Sequence, residues 1–407
     1  MIRILPQALW VLTRICLSLA ALATEKTCTR NSSTSVMDFR MIYGLFNQTA
    51  ALAAQGKSAV YAFQFGNELY SNVEAARYAA DILSMAQMVK QIWATTAPHA
   101  SVPVFVGPDN GADDMSAEHL DAILNSTAPN GALAAASYHD YWDECSGDQE
   151  SPPPAGLALN VSCIDARIQA VVDKYGPSCS AHHTPLWLTE GALHSNSGAN
   201  GLTNSFRSSL WYAHVLGQLA RKGVGLMSRQ TFIGGDYELV NRTTGLPNPD
   251  YFTALLWHDL VGKDYRDVRM GATSCGPGSE CRAALRVHAH SGVEAGTIVL
   301  VVINFATETA FDIELAVANA TGRSMRLWQL TGVLESNQVL LNNKPLLYAG
   351  GGAPLPSIPP TLLPPGVALH APPTSVSFVA LSTSTQQDKG RRTKAAAAAT
   401  AAAARVR

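Results

Sequence analysis

The sequence predicts an α/β protein: a (β/α)8 barrel of the TIM type followed by an antiparallel β-sandwich. Three observations carry this. From residue 60 to residue 232 short apolar runs alternate with stretches of helical periodicity, an order that makes parallel strands joined by helical crossovers. Beyond Arg266 the pattern changes to short alternating strands, which suits packed antiparallel sheets. A chain of 407 residues that is 47% apolar and 15% charged can also bury a core large enough for a barrel with an appended domain.

Met1 to Ala23 has an early Arg3, an apolar run and a small-residue ending at Ala21-Leu22-Ala23, and it resembles a secretory signal cleaved after Ala23. Arg14 interrupts the run, and a strand or helix of the folded domain is the alternative. Asn47 to Ala54 suits a helix preceding a buried strand at Val60 to Glu68. Val73 to Thr96 places Ala76, Ala80, Leu83, Met88 and Ile92 at helical spacing and ends before Pro98. Strands follow at Val102 to Val106 and Ala132 to Tyr138, then a helix near Cys163 to Tyr175 and a strand at Pro185 to Glu190. Phe206 to Lys222 reads as the next helix and Gly223 to Phe232 as a further strand. The sandwich strands are Leu285 to His290, Thr297 to Phe305, Phe311 to Val317 and Met325 to Leu330, closed by Ser375 to Leu381. Proline and glycine make Pro345 to Pro373 a set of loops between edge strands. Gln386 to Arg407, basic and then almost pure alanine, reads as a disordered or marginally helical tail. The expected domains are therefore a signal over 1–23, a barrel over 24–264, a sandwich over 265–385 and a tail over 386–407.

Charge excludes one broad class of function. The net charge is −2 and no dense Lys/Arg cluster precedes the tail, which argues against nucleic-acid binding because that requires many phosphate-neutralising contacts. No run is long and apolar enough for a convincing spanning helix; membrane association through the tail stays as an alternative, disfavoured by the tail's lack of bulky apolar residues. Asn-X-Ser/Thr sequons at Asn31, Asn47, Asn125, Asn160, Asn241 and Asn319 suit a secretory route, to the outside or to a lysosome- or vacuole-like compartment. With Cys16 in the signal, Cys28, Cys145, Cys163, Cys179, Cys275 and Cys281 remain, an even number that suits disulfides. Cys275 and Cys281 are close enough to close a short loop; other pairings stay open. The spacings match no zinc signature, and neither metal nor cofactor is expected.

Chemistry enters with two glutamates, each ending an apolar strand: Glu68 in Phe65-Gly66-Asn67-Glu68 and Glu190 in Leu188-Thr189-Glu190. Taken singly, Asn-Glu and Thr-Glu are more often caps or surface turns. Taken together, they fall where a parallel barrel collects its strand ends, at the catalytic rim. Two carboxyl groups facing each other there suit glycosidic bond cleavage, which needs a proton for the leaving oxygen and an anion at the oxocarbenium-like centre. Glu68, held by Asn67, is expected to be the acid/base and Glu190 the nucleophile.

With both glutamates placed, further blocks resemble glycoside hydrolase family 79, the heparanase and β-glucuronidase family. They are Val106-Gly107-Pro108-Asp109, Tyr138-His139-Asp140-Tyr141, Ser228-Arg229-Gln230-Thr231-Phe232 and Pro249-Asp250-Tyr251-Phe252. The resemblance covers roughly Asn47 to Leu381 and implies a retaining mechanism through a covalent glycosyl-enzyme. It implies that His139 and Tyr141 line the floor beside the nucleophile, and that Gln230 sits at the end of the last barrel strand. It further implies that Gly235 and Tyr237 hold the carboxylate of a glucuronic-acid-containing glycan. Exposed backbone N–H groups and a phenol suit that task, although His139 and Tyr141 also read as hydrogen-bonded barrel residues.

The pattern departs from the family at the start. A barrel whose fourth strand ends at Glu68 needs three earlier strand-helix units, yet 67 residues precede Glu68. The first strands are expected to be missing, through a shortened gene model, a second chain that supplies them, or a catalytically inactive carbohydrate-binding remnant. Sparse basic residues between Gly66 and Tyr237 favour a neutral or weakly acidic glycan over a heavily sulfated one.

Overall fold

A computed structural model describes residues 39–57, 60–68, 73–271, 280–315, 325–350 and 355–382. The signal-like segment, Cys28, Cys275, the sequons at Asn31 and Asn319 and the alanine-rich tail lie outside the described residues. By contacts the chain forms two compact units interleaved in sequence. The first takes the residues up to Asp143 with Cys163–Ser195 and Lys222–Phe232; the second takes Glu144–Ser162, Asn196–Arg221 and the residues from Ile233 onward. The expected linear division at residue 264 does not capture this interleaving, because the helix and loops at 196–221 and 233–264 gather with the later strands.

In the first unit, helix α1 (Phe39–Ala54) precedes strand β1 (Ala62–Gln64), α2 (Ala75–Thr96), β2 (Val104–Gly111), α3 (Ala117–Thr127), β3 (Ala135–Tyr141) and α4 (Val161–Ala181). Strand β4 (Leu186–Ala192) follows, then helix α5 (Phe206–Arg221) of the second unit, then β5 (Leu226–Arg229). The five strands pair in parallel in the order β1-β2-β3-β4-β5, as the alternating pattern predicts. Helix α2 buries Tyr78, Ile82, Met85, Val89, Ile92 and Trp93, an i, i+3, i+4, i+7 stripe that covers the sheet. Phe63 of β1 meets Phe46, Trp93 and Phe105 with ring centroids 4.8, 6.4 and 5.8 Å away. Helix α3 starts where the Ser116 hydroxyl accepts from the His119 N–H at 3.1 Å, an N-cap that satisfies an otherwise unpaired donor.

Two strands run further than expected. β2 continues through Pro108-Asp109-Asn110 and β3 through His139 to Tyr141, so polar residues that resemble a turn are paired within the sheet.

The second unit holds α5, α6 (Pro249–Leu260), β6 (Val261–Arg266), a short α7 (Glu280–Ala284), β7 (Leu285–Gly292), β8 (Thr297–Asn304) and β9 (Phe311–Ile313). Strands β10 (Met325–Thr331), β11 (Leu340–Leu341), β12 (Lys344–Pro345), β13 (Thr361–Leu363), β14 (Leu369–Ala371) and β15 (Ser375–Ser382) complete it. One antiparallel sheet runs β12-β11-β10-β15-β8-β7-β6, with β13 also on β10, and β14 pairs separately with β9. The layers of the expected sandwich are unequal. One face, with Leu285, Leu300, Val302, Leu327, Val379 and Leu381, packs with Leu369 and Ala371 of β14 and with Phe311 and Ile313 of β9. On the other face, Phe378 meets Trp257 of α6 at 6.4 Å and His288 hydrogen-bonds His214 of α5 at 3.1 Å. Both faces of β8 are consequently covered, and its six residues Val299–Asn304 are all buried.

Cys145, Cys163 and Cys281 are disulfide-bonded. Cys179 is a free, buried thiol on α4, which corrects the expectation that all six remaining cysteines pair. Burial pushes its thiol up to about 11. No described helix is long and apolar enough to cross a membrane.

Candidate active site

Parallel strands deliver their C-terminal ends to one rim, and in the first unit that rim carries Glu68, Asp109, His139, Tyr141 and Glu190. Regular alternation does not aim all of them. The β2–β3 register shifts between Pro108 and Asn110, leaving Asp109 as an extra residue. The β3–β4 register shifts at Tyr138/His139, where Leu188 and then Glu190 are the partners and Thr189 is the extra residue. Bulges re-aim side chains at strand ends. Here the two extra residues meet: the Thr189 hydroxyl donates to Asp109 Oδ1 at 2.5 Å.

Glu68 lies four residues past β1 with φ of 52°, and Asp109 has φ of 56°. Such left-handed backbone is uncommon outside glycine and persists where neighbours hold it. The Glu68 N–H donates to the Asp109 carbonyl at 2.7 Å, and the Asp109 N–H donates to the Ser137 hydroxyl at 3.2 Å.

The carboxylates then come together around one imidazole. His139 Nδ1 lies 3.1 Å from Glu68 Oε1 and 4.0 Å from Glu190 Oε2, while its Nε2 lies 3.8 Å from Asp109 Oδ1. Tyr141 donates its phenol hydrogen to Glu190 Oε1. One oxygen of each glutamate and a ring nitrogen of His139 all lie within 4.8 Å of one another. The spacing would also admit a small cation. The Glu68 and Glu190 side chains remain 34% and 24% exposed, so both can be reached by a ligand, whereas His139 and Asp109 are buried. Burial opposes charge on His139, yet the hydrogen bond with Glu68 and the charges of Asp109, Glu190 and Glu68 outweigh it and raise its pKa. Burial raises the Asp109 pKa, against the lowering effects of His139, Ser137, Thr189 and Gln64. Between His139 and Tyr141, Asp140 turns to the opposite side and pairs with Arg167 of α4 at 2.6 Å.

Sequence reading thus anticipated Glu68, Glu190, His139 and Tyr141, and the fold brings these four together. Asn67 is half-buried directly before Glu68. Gln230 follows β5, its N–H donating to the Gly191 carbonyl at 3.0 Å. Gly235 and Tyr237 belong to the second unit. There Gly235 has φ of 77°, and a Cβ on it would stand 2.7 Å from the Ser197 carbonyl and 2.9 Å from the Tyr237 ring, so only glycine fits. Glu238, buried in the same loop, accepts from the Gly234 N–H at 2.6 Å and the Arg242 N–H at 2.8 Å. Asp109 and Thr189 were missed. A clue was present in an acid placed at the end of the apolar run Val104-Phe105-Val106.

The chain is similar to several known proteins. Heparanase-like protein 1 of Arabidopsis thaliana is 27% identical over 361 residues, covering 78% of this chain and 62% of the relative. Baicalin-β-D-glucuronidase of Scutellaria baicalensis is 27% identical over 331 residues, covering 79% and 57%. Inactive heparanase-2 of Homo sapiens is 28% identical over 224 residues, covering 52% and 36%. The chain therefore spans less than two thirds of each of these relatives. In fold it is similar to the α-L-arabinofuranosidase of Thermotoga maritima, with a TM-score of 0.56 at 14% identity, covering 83% of this chain and 72% of that one. The profile of glycosyl hydrolase family 79, N-terminal domain, matches residues 12–217, and that span contains both glutamates, His139 and Tyr141. The chain belongs to glycosyl hydrolase family 79.

Proposed function

We propose that this protein is a retaining glycoside hydrolase that cleaves β-glucuronide linkages in a glucuronic-acid-containing glycan. The observation that carries the reading is the approach of the Glu68 and Glu190 carboxylate oxygens to within 4.8 Å. That bound lies well below the roughly 6.5 to 9.5 Å that leaves room for an inverting water, on the side of the roughly 5 to 5.5 Å carboxyl separation of retaining enzymes. The Tyr141 hydrogen bond occupies Glu190 Oε1 and leaves Oε2 to attack. In the first step Oε2 forms a bond to the anomeric carbon, the glycosidic C–O bond breaks, and Glu68 transfers its proton to the leaving oxygen. In the second, water loses a proton to Glu68 while its oxygen bonds to the anomeric carbon, and the sugar–Glu190 bond breaks.

Asn67 steadies the acid/base in this reading, and Gln230 contacts the sugar. Gly235 and Tyr237 take the sugar carboxylate in this reading, a role that rests on the family resemblance. The name of the Scutellaria relative supports the glucuronide. A second reading, a glycan-binding protein without turnover, draws support from the relative described as inactive.

A mechanism-based fluorinated glucuronide separates the two. A hydrolase acquires one covalent sugar on the Glu190 peptide by mass spectrometry, and Glu190→Gln acquires none and loses turnover. Binding without labelling, together with no release from a chromogenic β-glucuronide, would establish the second reading. Labelling of Glu190→Gln at the native rate would remove Glu190 as nucleophile.

The proposal extends to a secretory route, supported by the disulfides and by an exposed sequon at Asn125. Loss of mass on glycosidase treatment of the native protein tests it, and native mass spectrometry tests the expected second chain.

A further inference from the structure

We propose that Asp109 is a positioning residue for the acid/base, acting through His139: its buried carboxylate fixes which imidazole nitrogen carries the proton and so presents Nδ1 to Glu68. The inference rests on the hydrolase reading for its catalytic consequence, but the placement of the proton is a separate matter.

The geometry forms a line. Glu68 Oε1 is 3.1 Å from Nδ1, and Asp109 Oδ1 is 3.8 Å from Nε2. Nε2 and Asp109 Oδ2 are both buried with no hydrogen-bond partner among the described residues. An N–H aimed at a fully buried carboxylate is stabilised by its charge, whereas a bare lone pair facing it is not. Nε2 therefore keeps its hydrogen in both charge states, and Nδ1 is the nitrogen that gains or loses one. When Glu68 is protonated, Nδ1 accepts from it; when Glu68 is a carboxylate, Nδ1 donates to it. The two arrangements hold one proton in common, and it is this proton that the pair gives through Glu68 to the leaving oxygen in the first step of a retaining cycle and regains from water in the second.

Asp109 is built for this position. It is the extra residue of the β2 bulge, its side chain is held by Thr189, the extra residue of β4, and its carbonyl holds the Glu68 N–H. The charged or titratable groups facing His139 are Glu68 after β1, Asp109 on β2 and Glu190 on β4. Asp109 is the one of the three withdrawn from solvent, beyond reach of a substrate.

Nitrogen-15 histidine NMR over pH 4 to 8 tests this on the native protein, with the His139 signal assigned by its loss in His139→Gln. The expected result is a neutral His139 protonated on Nε2, with Nδ1 titrating. A neutral ring protonated on Nδ1 overturns the proposal without any Asp109 variant. In Asp109→Asn, which keeps an acceptor for Thr189, the His139 midpoint is expected to fall by about one unit. Positioned acid–base groups contribute about 10²- to 10⁴-fold, so kcat on a glucuronide with a poor leaving group is expected to fall about tenfold or more with KM little changed. An unchanged midpoint in folded Asp109→Asn overturns the proposal. If the native protein hydrolyses no glucuronide, the hydrolase reading fails and the NMR result still decides the role of Asp109.

Discussion

Glu190 owes its orientation to the phenol of Tyr141, which binds one carboxylate oxygen. The other oxygen stays toward His139. Tyr141→Phe removes that donor while keeping the ring, and the loss of one preorganised donor at a reacting group costs on the order of 10²-fold in kcat. We expect such a fall on a chromogenic β-glucuronide, with KM changed far less; an unchanged kcat would make Tyr141 structural only. Glu68→Ala should spare an activated aryl glucuronide and depress an alkyl one, because protonation matters less as the leaving group improves. Equal losses on both substrates would remove Glu68 as the acid. Glu68 and Glu190 were legible because each ends an apolar strand run, whereas His139 and Tyr141 were legible only through the family resemblance. Asp109 and Thr189 were not, since their meaning depends on a register shift between strands that no single strand encodes.

At the scale of elements, the bulges in β2 and β4 convert strands into site-bearing segments, and α5 shows how a helix finds its place. Its residues are buried nearly all round the helix, Phe206, Leu210, Trp211, His214, Val215 and Gly217 among them, so no single apolar face marks the sheet it packs on. It packs within the second unit, and the reason is visible at Gly217: a methyl there would overlap the His288 ring of β7. The helix reaches the sheet because position 217 has no side chain. Gly217→Ala is expected to destabilise the protein by about 1 to 3 kcal/mol, the range for overpacking a filled contact, seen as a lower denaturant midpoint. A gain in stability, as helix propensity alone would give, would mean that the contact is loose.

For the molecule as a whole, acid response follows from a buried histidine. His290 is buried between Trp257 and Tyr265, each with its ring centroid 5.3 Å away. Burial pulls its pKa down to about 4, against an unfolded value of roughly 6.5. The folded protein therefore resists protonation that the unfolded chain accepts. Its contribution to stability is complete above about pH 6.5 and is lost progressively as pH falls toward 4, amounting to roughly 3 kcal/mol at most. Calorimetry should show a melting temperature declining across that window, with a shallower decline in His290→Phe. An identical slope in the variant would place the acid lability elsewhere.

The sequence by itself determined the succession of parallel strands and helices, the later antiparallel strands and the two glutamates. Apolar periodicity is a property of neighbouring residues and survives in one dimension. Only the tertiary structure decided which unit α5 joins, that Cys179 stays unpaired, and that Asp109 reaches His139. Each of these depends on groups far apart in the chain meeting at a set distance, and local periodicity carries no information about that distance.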